Sequence, residues 1–475
     1  MQSLAFGPLE GHGSVSGRMP LPFVTLWETR FDYSAATSFH TEGNFQVNHA
    51  TLRVIALASL VAIAGCHRQA DAPGDAPGNF QVESGEGRVT VRWDQQPGLT
   101  YWIFLQAGAS VTAAAPGVPL IFDAQSPRVV AGLANNTQYA FVMNATNQDS
   151  KAGPSTPVVL GSTRLAGAIW TPGVPLAPQN LNGLAFSTVL VSGISTTRLV
   201  AVGNAGTLLA GDLNYTSTNP PGVTAWAQAT SIPNGFVSDL SAVTSDLSQF
   251  IALGTDGSIV TSADGNTWTS KTPILNPGTR MNSIAFGLAS SITATYVAVG
   301  DGGKIFTSPD LVTWATVVPL TGSDLYNVSF PKDIFVATGA GGTLLTSPDG
   351  STWTVQTPIT ANALRGTAFG TGLTAAGASY VVVGDAGTIL TSPDGTGWSV
   401  IPPPLAQDLR GITFGSRFVA VGKESVLGQG STVVYSDDTI NWLQAPSNSG
   451  DLAAIFPTPA MYVAVGASGA NAVSK

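Results

Sequence analysis

Ser347-Pro-Asp349-Gly-Ser-Thr-Trp353 is one spelling of a phrase that occurs five times in this chain of 475 residues. The others are Ser262-Ala-Asp264-Gly-Asn-Thr-Trp268, Ser308-Pro-Asp310-Leu-Val-Thr-Trp314, Ser392-Pro-Asp394-Gly-Thr-Gly-Trp398 and Ser436-Asp-Asp438-Thr-Ile-Asn-Trp442. The tryptophans stand roughly 40–46 residues apart, a period long enough for about four short strands per unit. Such a period belongs to repeat architectures, so the most visible residues of the sequence are read first as architecture.

Working outward, one full unit reads Leu364-Arg-Gly-Thr-Ala-Phe369, Tyr380-Val-Val-Val-Gly384, Gly387-Thr-Ile-Leu-Thr-Ser392 and Trp398-Ser-Val400. These are four strand patterns separated by glycine-rich or Asp-Gly turns. Similar units start at Leu181, Leu240, Met281, Leu325, Leu409 and Leu452, which makes seven. The last has no tryptophan strand, whereas Ala168-Ile-Trp170-Thr171 precedes the first unit as an orphan. Pairing that orphan with the strand near Ala470 to Val473 closes a ring and removes the exposed sheet edges that invite aggregation. The fold class expected is all-β, a seven-bladed β-propeller over residues 165–475.

The tryptophan phrases resemble Asp-box (BNR, sialidase-type) repeats, here spelled one residue shorter, with Gly directly after Asp. In the turn, Asp264, Asp310, Asp349, Asp394 and Asp438 are expected to accept backbone N–H bonds, and Gly265, Gly350 and Gly395 to take positive φ. Trp268, Trp314, Trp353, Trp398 and Trp442 are expected to bury their rings between neighbouring sheets. Each carboxylate is alone on its turn, which speaks against acid–base or metal chemistry. The longer spelling Val-Ala-Val-Gly-x-x-Gly-x-Ile-x-Thr-Ser-x-Asp-Gly-x-x-Trp is also similar to the propeller of photosystem II stability and assembly factors and their non-photosynthetic relatives. That resemblance implies a non-catalytic, protein-binding scaffold.

Ahead of the repeats, residues 79–164 alternate in Val89-Thr-Val91-Arg-Trp93, Tyr101-Trp-Ile103-Phe-Leu105 and Tyr139-Ala-Phe141-Val-Met143-Asn-Ala145, with turn signals at Pro97-Gly98 and Asn135-Asn136. Trp93, and Leu133 followed by Tyr139, resemble the buried tryptophan and tyrosine corner of a fibronectin type III β-sandwich. The module is expected to be a spacer without chemistry. Before it, residues 66–78 form a Pro/Gly/Asp tether.

The one cysteine, Cys66, ends Arg53-Val-Ile-Ala-Leu-Ala-Ser-Leu-Val-Ala-Ile63-Ala64-Gly65-Cys66, a basic residue, about ten apolar ones and then small ones. This layout resembles a bacterial lipoprotein signal over residues 47–65, with Cys66 as the lipidated residue; the alternative is a buried free cysteine. Acylation there would anchor the chain to a membrane. His67 in place of Asp after the cysteine implies the outer membrane, facing the periplasm or the surface. Residues 1–46 are expected to be a non-native or disordered extension, with translation starting near Val47.

The net charge of −9 argues against nucleic acid, which needs clustered Lys and Arg. The histidines, His12, His40, His49 and His67, lie outside both expected domains, so neither a histidine acid–base pair nor a metal or cofactor is expected. Sialidases share the propeller and its boxes but need an arginine triad and a tyrosine nucleophile with a glutamate. Here Glu424 is the evident glutamate, no Arg-Ile-Pro motif precedes the repeats, and Tyr296, Tyr380 and Tyr462 recur at equivalent strand positions, as packing residues do. A sialidase-like glycoside hydrolase is therefore the runner-up to a binding scaffold. A ligand, an unidentified protein or glycan, is expected on the face opposite the Asp boxes, where the first strands begin. There Arg280, Asn282, Tyr326, Arg365 and Arg410 are the candidates, the arginines suited to a carboxylate or pairing locally with Asp324, Asp408 or backbone carbonyls at a blade seam. A monomer is expected.

Overall fold

The computed structural model describes residues 71–475 apart from 114, 116, 192, 215–221, 247, 275–278, 290–292, 372–376, 425–429 and 459–460. Cys66, the signal segment, the N-terminal extension and all four histidines lie outside the described residues. Residues 69–475 form one compact unit. No helix among the described residues is long and apolar enough to cross a membrane.

Seven strands come first: β1 (Gln81–Gly85), β2 (Arg88–Arg92), β3 (Thr100–Ala107), β4 (Leu120–Ile121), β5 (Arg128–Ala131), β6 (Gln138–Thr146) and β7 (Val159–Ser162). They make two antiparallel sheets, ordered β1-β2-β5 and β4-β3-β6-β7. The alternating residues Val89, Val91, Ile103, Phe141 and Met143 are fully buried between them, with Trp93 against Tyr101 at 5.5 Å. Period-two patterning thus puts one face of each sheet into a shared core. The Tyr139 hydroxyl accepts the Ala134 N–H at 3.0 Å and pins the bend before β6.

From Thr171 onward there are seven antiparallel sheets, here I to VII. Their inner strands are Leu181–Val191, Leu240–Ser245, Met281–Ala289, Leu325–Ser329, Leu364–Thr371, Leu409–Phe414 and Leu452–Pro457. Each inner strand packs against the next, and that of VII returns to that of I, so the sheets close into a ring around a channel. Sheets II to VI each take four consecutive strands, and sheet I carries two short outer pieces, Gly222–Val223 and Ala227–Gln228.

Sheet VII is completed by the other end of the chain. Strand β8 (Thr171–Pro172) pairs with Asn471–Ser474, Val473 opposite Thr171. The orphan tryptophan segment therefore closes the ring, with Trp170 buried just before the paired residues.

The Ser-x-Asp turns explain the repeated phrase. In sheet II the Ser262 hydroxyl accepts the Gly265 N–H at 2.7 Å, Asp264 accepts those of Asn266 and Thr267 at 2.8 and 2.7 Å, and the Trp268 indole donates to the Gly265 carbonyl at 3.0 Å. The same pattern of Ser and Asp bonds recurs at Asp310, Asp349, Asp394 and Asp438. Gly265, Gly350 and Gly395 have φ of 74°, 76° and 82°, and Leu311 and Thr439 take the same conformation at 61° and 67°. Trp268, Trp353 and Trp442 are buried, whereas Trp314 and Trp398 are only partly so.

The closing sheet carries a version of this turn split across the chain ends. Ser474, fully buried, accepts the Gly167 N–H at 2.7 Å, and the Trp170 indole donates to the Gly167 carbonyl at 2.8 Å. Serine and glycine thus meet as in the other turns although 307 residues separate them.

Candidate binding surface

The channel mouth where the inner strands begin is built by one repeated irregularity. In every sheet the pairing of inner and second strands slips after the opening Leu or Met, leaving the next residue unpaired. Those bulged residues are Asn182, Ser241, Asn282, Tyr326, Arg365, Arg410 and Ala453. A bulge re-aims a side chain out of the pleat, here to the rim of the channel. The glycine that ends each second strand makes it possible. A Cβ at Gly422 would lie 1.9 Å from the Asp408 carbonyl oxygen, and one at Gly384 2.1 Å from that of Ala363.

Four of the five expected site residues, Asn282, Tyr326, Arg365 and Arg410, belong to this ring of bulges, and Arg280 joins it by donating to the Asn282 side-chain oxygen at 3.1 Å. The arginines are not free. Arg365 makes a two-pronged pair with Asp385 through Nε and Nη2, while its guanidinium lies over the Tyr326 ring, 4.9 Å from the centroid. The hydrogen bond to Asp385 raises the Arg365 pKa, against the opposing effect of burial. Arg410 stands 3.6 Å from Asp451. The expected local partners, Asp324 and Asp408, are corrected by these geometries. Both instead accept backbone N–H groups, from Gly302 at 2.8 Å and Ala386 at 3.1 Å.

Those last bonds belong to a set that the sequence reading missed. The residue just before the opening Leu accepts an N–H from the turn between second and third strands of the preceding sheet. Asp239 takes Ala205, Asp324 takes Gly302, Asp408 takes Ala386, Asp451 takes Glu424, and Asn180 takes Ser468 across the closing seam. Asn182 and Asn282 add bonds of 2.8 Å to the carbonyls of Leu240 and Leu325 in the next sheet. The available signal was an Asp or Asn one place ahead of the repeated Leu. In consequence the rim carries carboxylates beside its arginines, and it is a compensated polar surface, not a cationic ring.

The channel below the rim measures about 570 Å³. Among the described residues no Asp, Glu or Lys lines it; Arg365 and Arg410 mark one end, and Phe286, Phe330, Phe369 and Phe414 the other. Three polar atoms on its wall, Asn327 Oδ1, Ser329 Oγ and Thr367 Oγ1, are buried without a protein partner.

The groups a hydrolase would need are not gathered here. Glu424 ends the second strand of sheet VI (Phe418–Glu424), where its Oε1 accepts the Gly430 N–H at 3.3 Å. The tyrosines bond across seams at the far end: Tyr296 donates to Asp246 at 2.6 Å, Tyr380 to Asp333, and Tyr462 to the Arg417 carbonyl at 2.8 Å. Burial and then the adjacent Asp246 push the Tyr296 pKa up, and the same two causes act at Tyr380 with Asp333. The turn carboxylates also lie at that far end and are consumed by their own N–H groups, which hold Asp394 down to about 2. No group of three His, Cys, Asp or Glu among the described residues could hold a metal.

Solved structures fix the architecture. A catalytically inactive histidine-to-alanine variant of virginiamycin B lyase from Staphylococcus aureus, with quinupristin, superposes with a TM-score of 0.50 at 12% identity, covering 64% of this chain and 98% of that one. The repeat region is a β-propeller. Lower similarity is seen to YCF48 bound to D1 peptide (TM-score 0.47, 16% identity, 64% of this chain and 96% of that one) and to the WD40 propeller of Doa1 (0.45, 11%, 64% and 97%). No protein-family model and no curated protein matches the chain.

Proposed function

We propose that the chain is an exported, non-catalytic lipoprotein whose seven-bladed, Asp-box propeller holds a protein or glycan partner at its channel mouth. In this reading Cys66 carries the lipid in the outer membrane, residues 71–78 belong to the tether, and residues 79–164 are a fibronectin type III-like spacer. The observation that carries the proposal is the ring of bulges. Leu, Gly, Ser, Asp and Trp repeat from blade to blade for packing reasons, while the bulged position holds Asn, Ser, Asn, Tyr, Arg, Arg and Ala in turn. A surface made by a repeated device but furnished differently in each blade suits recognition of one asymmetric ligand.

Catalysis is not proposed. Residues 165–475 contain no histidine, which separates them from a lyase inactivated by loss of one. Glu424 lies toward the mouth, whereas Tyr296, Tyr380 and Tyr462 bond across seams at the far end.

The test is a pull-down from envelope extract with immobilised residues 71–475, prey identified and then titrated against variants. Arg410→Ala is the informative change, because its contact with Asp451 is long and its loss leaves the Arg365 pair intact. A drop of about tenfold is expected from losing one charge-assisted contact. Undiminished binding in an Arg280→Ala, Tyr326→Ala, Arg410→Ala triple variant would refute the mouth as the site. Turnover in a fluorogenic glycoside panel would refute the non-catalytic reading. Acyl labelling of the precursor that survives Cys66→Ser would refute the anchor.

A further inference from the structure

The sandwich holds a cleft that a spacer does not require. It lies between the β3–β4 edge of one sheet and β5 of the other, measures about 490 Å³, and is walled by Leu105, Leu120, Ile121, Val130 and Tyr139. Among the described residues the only charged one lining it is Arg128. The Arg128 Nε is buried and has no hydrogen-bond partner among the described residues. A buried donor left without an acceptor costs free energy, more so when it is cationic. On the same sheet Arg92 pairs with Glu83 at 3.1 Å.

The cleft therefore offers an apolar body and one cationic donor. Addition of a peptide strand does not fit it. Val129 and Val130 on β5 are 6% and 7% exposed, so that edge is covered, and β4 has only two residues to pair. The complement is a compact molecule with an apolar chain and an anionic end. The volume falls within the range of about 300–1,000 Å³ typical of small-molecule sites. We propose that this cleft binds an alkyl carboxylate of about eight to ten carbons, its chain against Leu105, Leu120 and Ile121 and its carboxylate accepting from Arg128.

The experiment compares decanoate with decanol by calorimetric titration on residues 71–475, below the micellar concentration. Decanoate is expected to bind about tenfold tighter than decanol. Arg128→Gln should abolish that preference while leaving decanol binding. Leu120→Asp, on a lip residue that is 44% exposed and so free to change without unfolding the sandwich, should weaken decanoate by at least tenfold. The proposal is overturned if neither compound binds saturably, if the two bind equally to the unaltered chain, or if folded Arg128→Gln or Leu120→Asp keeps the original decanoate affinity.

Discussion

Replacing Ser474 by alanine removes a single oxygen from the point where the two chain ends meet. That oxygen accepts the Gly167 N–H at 2.7 Å and donates to the Ile169 carbonyl at 2.5 Å, in a site with no solvent exposure. Both backbone groups lose their partner, each at about 1–3 kcal/mol, so the expected loss is about 2–6 kcal/mol. Ser262→Ala is the internal control. It orphans the buried Gly265 N–H and removes the hydroxyl's own bond to Asp264 Oδ1 at 2.9 Å and its longer contact with the Asp264 N–H at 3.3 Å, both at a partly exposed residue, while Asp264 keeps its bonds from Asn266 and Thr267, so a loss of about 1–3 kcal/mol is expected there. At roughly 2 °C per kcal/mol for a protein of this size, the closing-sheet variant should melt about 4–12 °C lower. Urea unfolding followed by tryptophan fluorescence measures the difference, and amide exchange locates it in residues 166–176 and 466–475. Should Ser474→Ala cost under about 0.5 kcal/mol, or less than Ser262→Ala, the split turn contributes nothing to closure and the reasoning is wrong.

Gly422→Ala should be severely destabilising, by about 3 kcal/mol or more, because its Cβ would collide with the Asp408 carbonyl at 1.9 Å, whereas Gly397→Ala, with open space around it, should be neutral or slightly stabilising in the same melts. Asp394 has its carboxyl held to about 2 by the Thr396 and Gly397 N–H groups, so its contribution is present above the ordinary carboxylate range and is lost as pH falls through about 2. Asp394→Asn should therefore flatten stability against pH between about 4 and 2, measured by acid titration of the circular dichroism signal. Asp212→Asn should cost about 1–3 kcal/mol in urea unfolding, since Arg198, with a side chain only 6% exposed, loses the carboxylate that meets it at 2.6 and 2.9 Å but keeps its bond to the Asp264 carbonyl.

The ring was legible in the sequence because its determinants are local. The Ser-x-Asp-Gly turn, the alternation on either side of it and the period are all written within a few residues of one another, and Trp170 stood out as a fourth strand lacking its first three. The bulges were less visible. They rest on the close approach of Gly422 and its equivalents to the backbone at the start of the neighbouring strand, which only a residue without a Cβ allows and which no propensity registers. The partners at the mouth were hidden for a related reason. Arg365 pairs with Asp385 and Arg410 with Asp451, 20 and 41 positions away, in geometries set by the second-to-third turn and by the next blade. The expectation of pairing at a blade seam had pointed to Asp324, Asp408 or backbone carbonyls. Arg128 gave no signal at all, since an arginine opening a strand reads as a solvated side chain, and only the covering of the cleft leaves its Nε without an acceptor.

Ring closure through β8 also sets how the propeller bears load. A pull on the chain from its N-terminal side arrives at Thr171 along the strand axis, with Val473 and Ala472 held beside it in antiparallel register. Tension of that direction shears the pairing, so its bonds, the Gly167–Ser474 contact and the Asn471 side-chain bond to the Val174 carbonyl at 2.6 Å are strained together and do not peel in turn. The pairing of β8 with the C-terminal strand is thereby the mechanical clasp of the ring, loaded in shear by any tension from the N-terminal side.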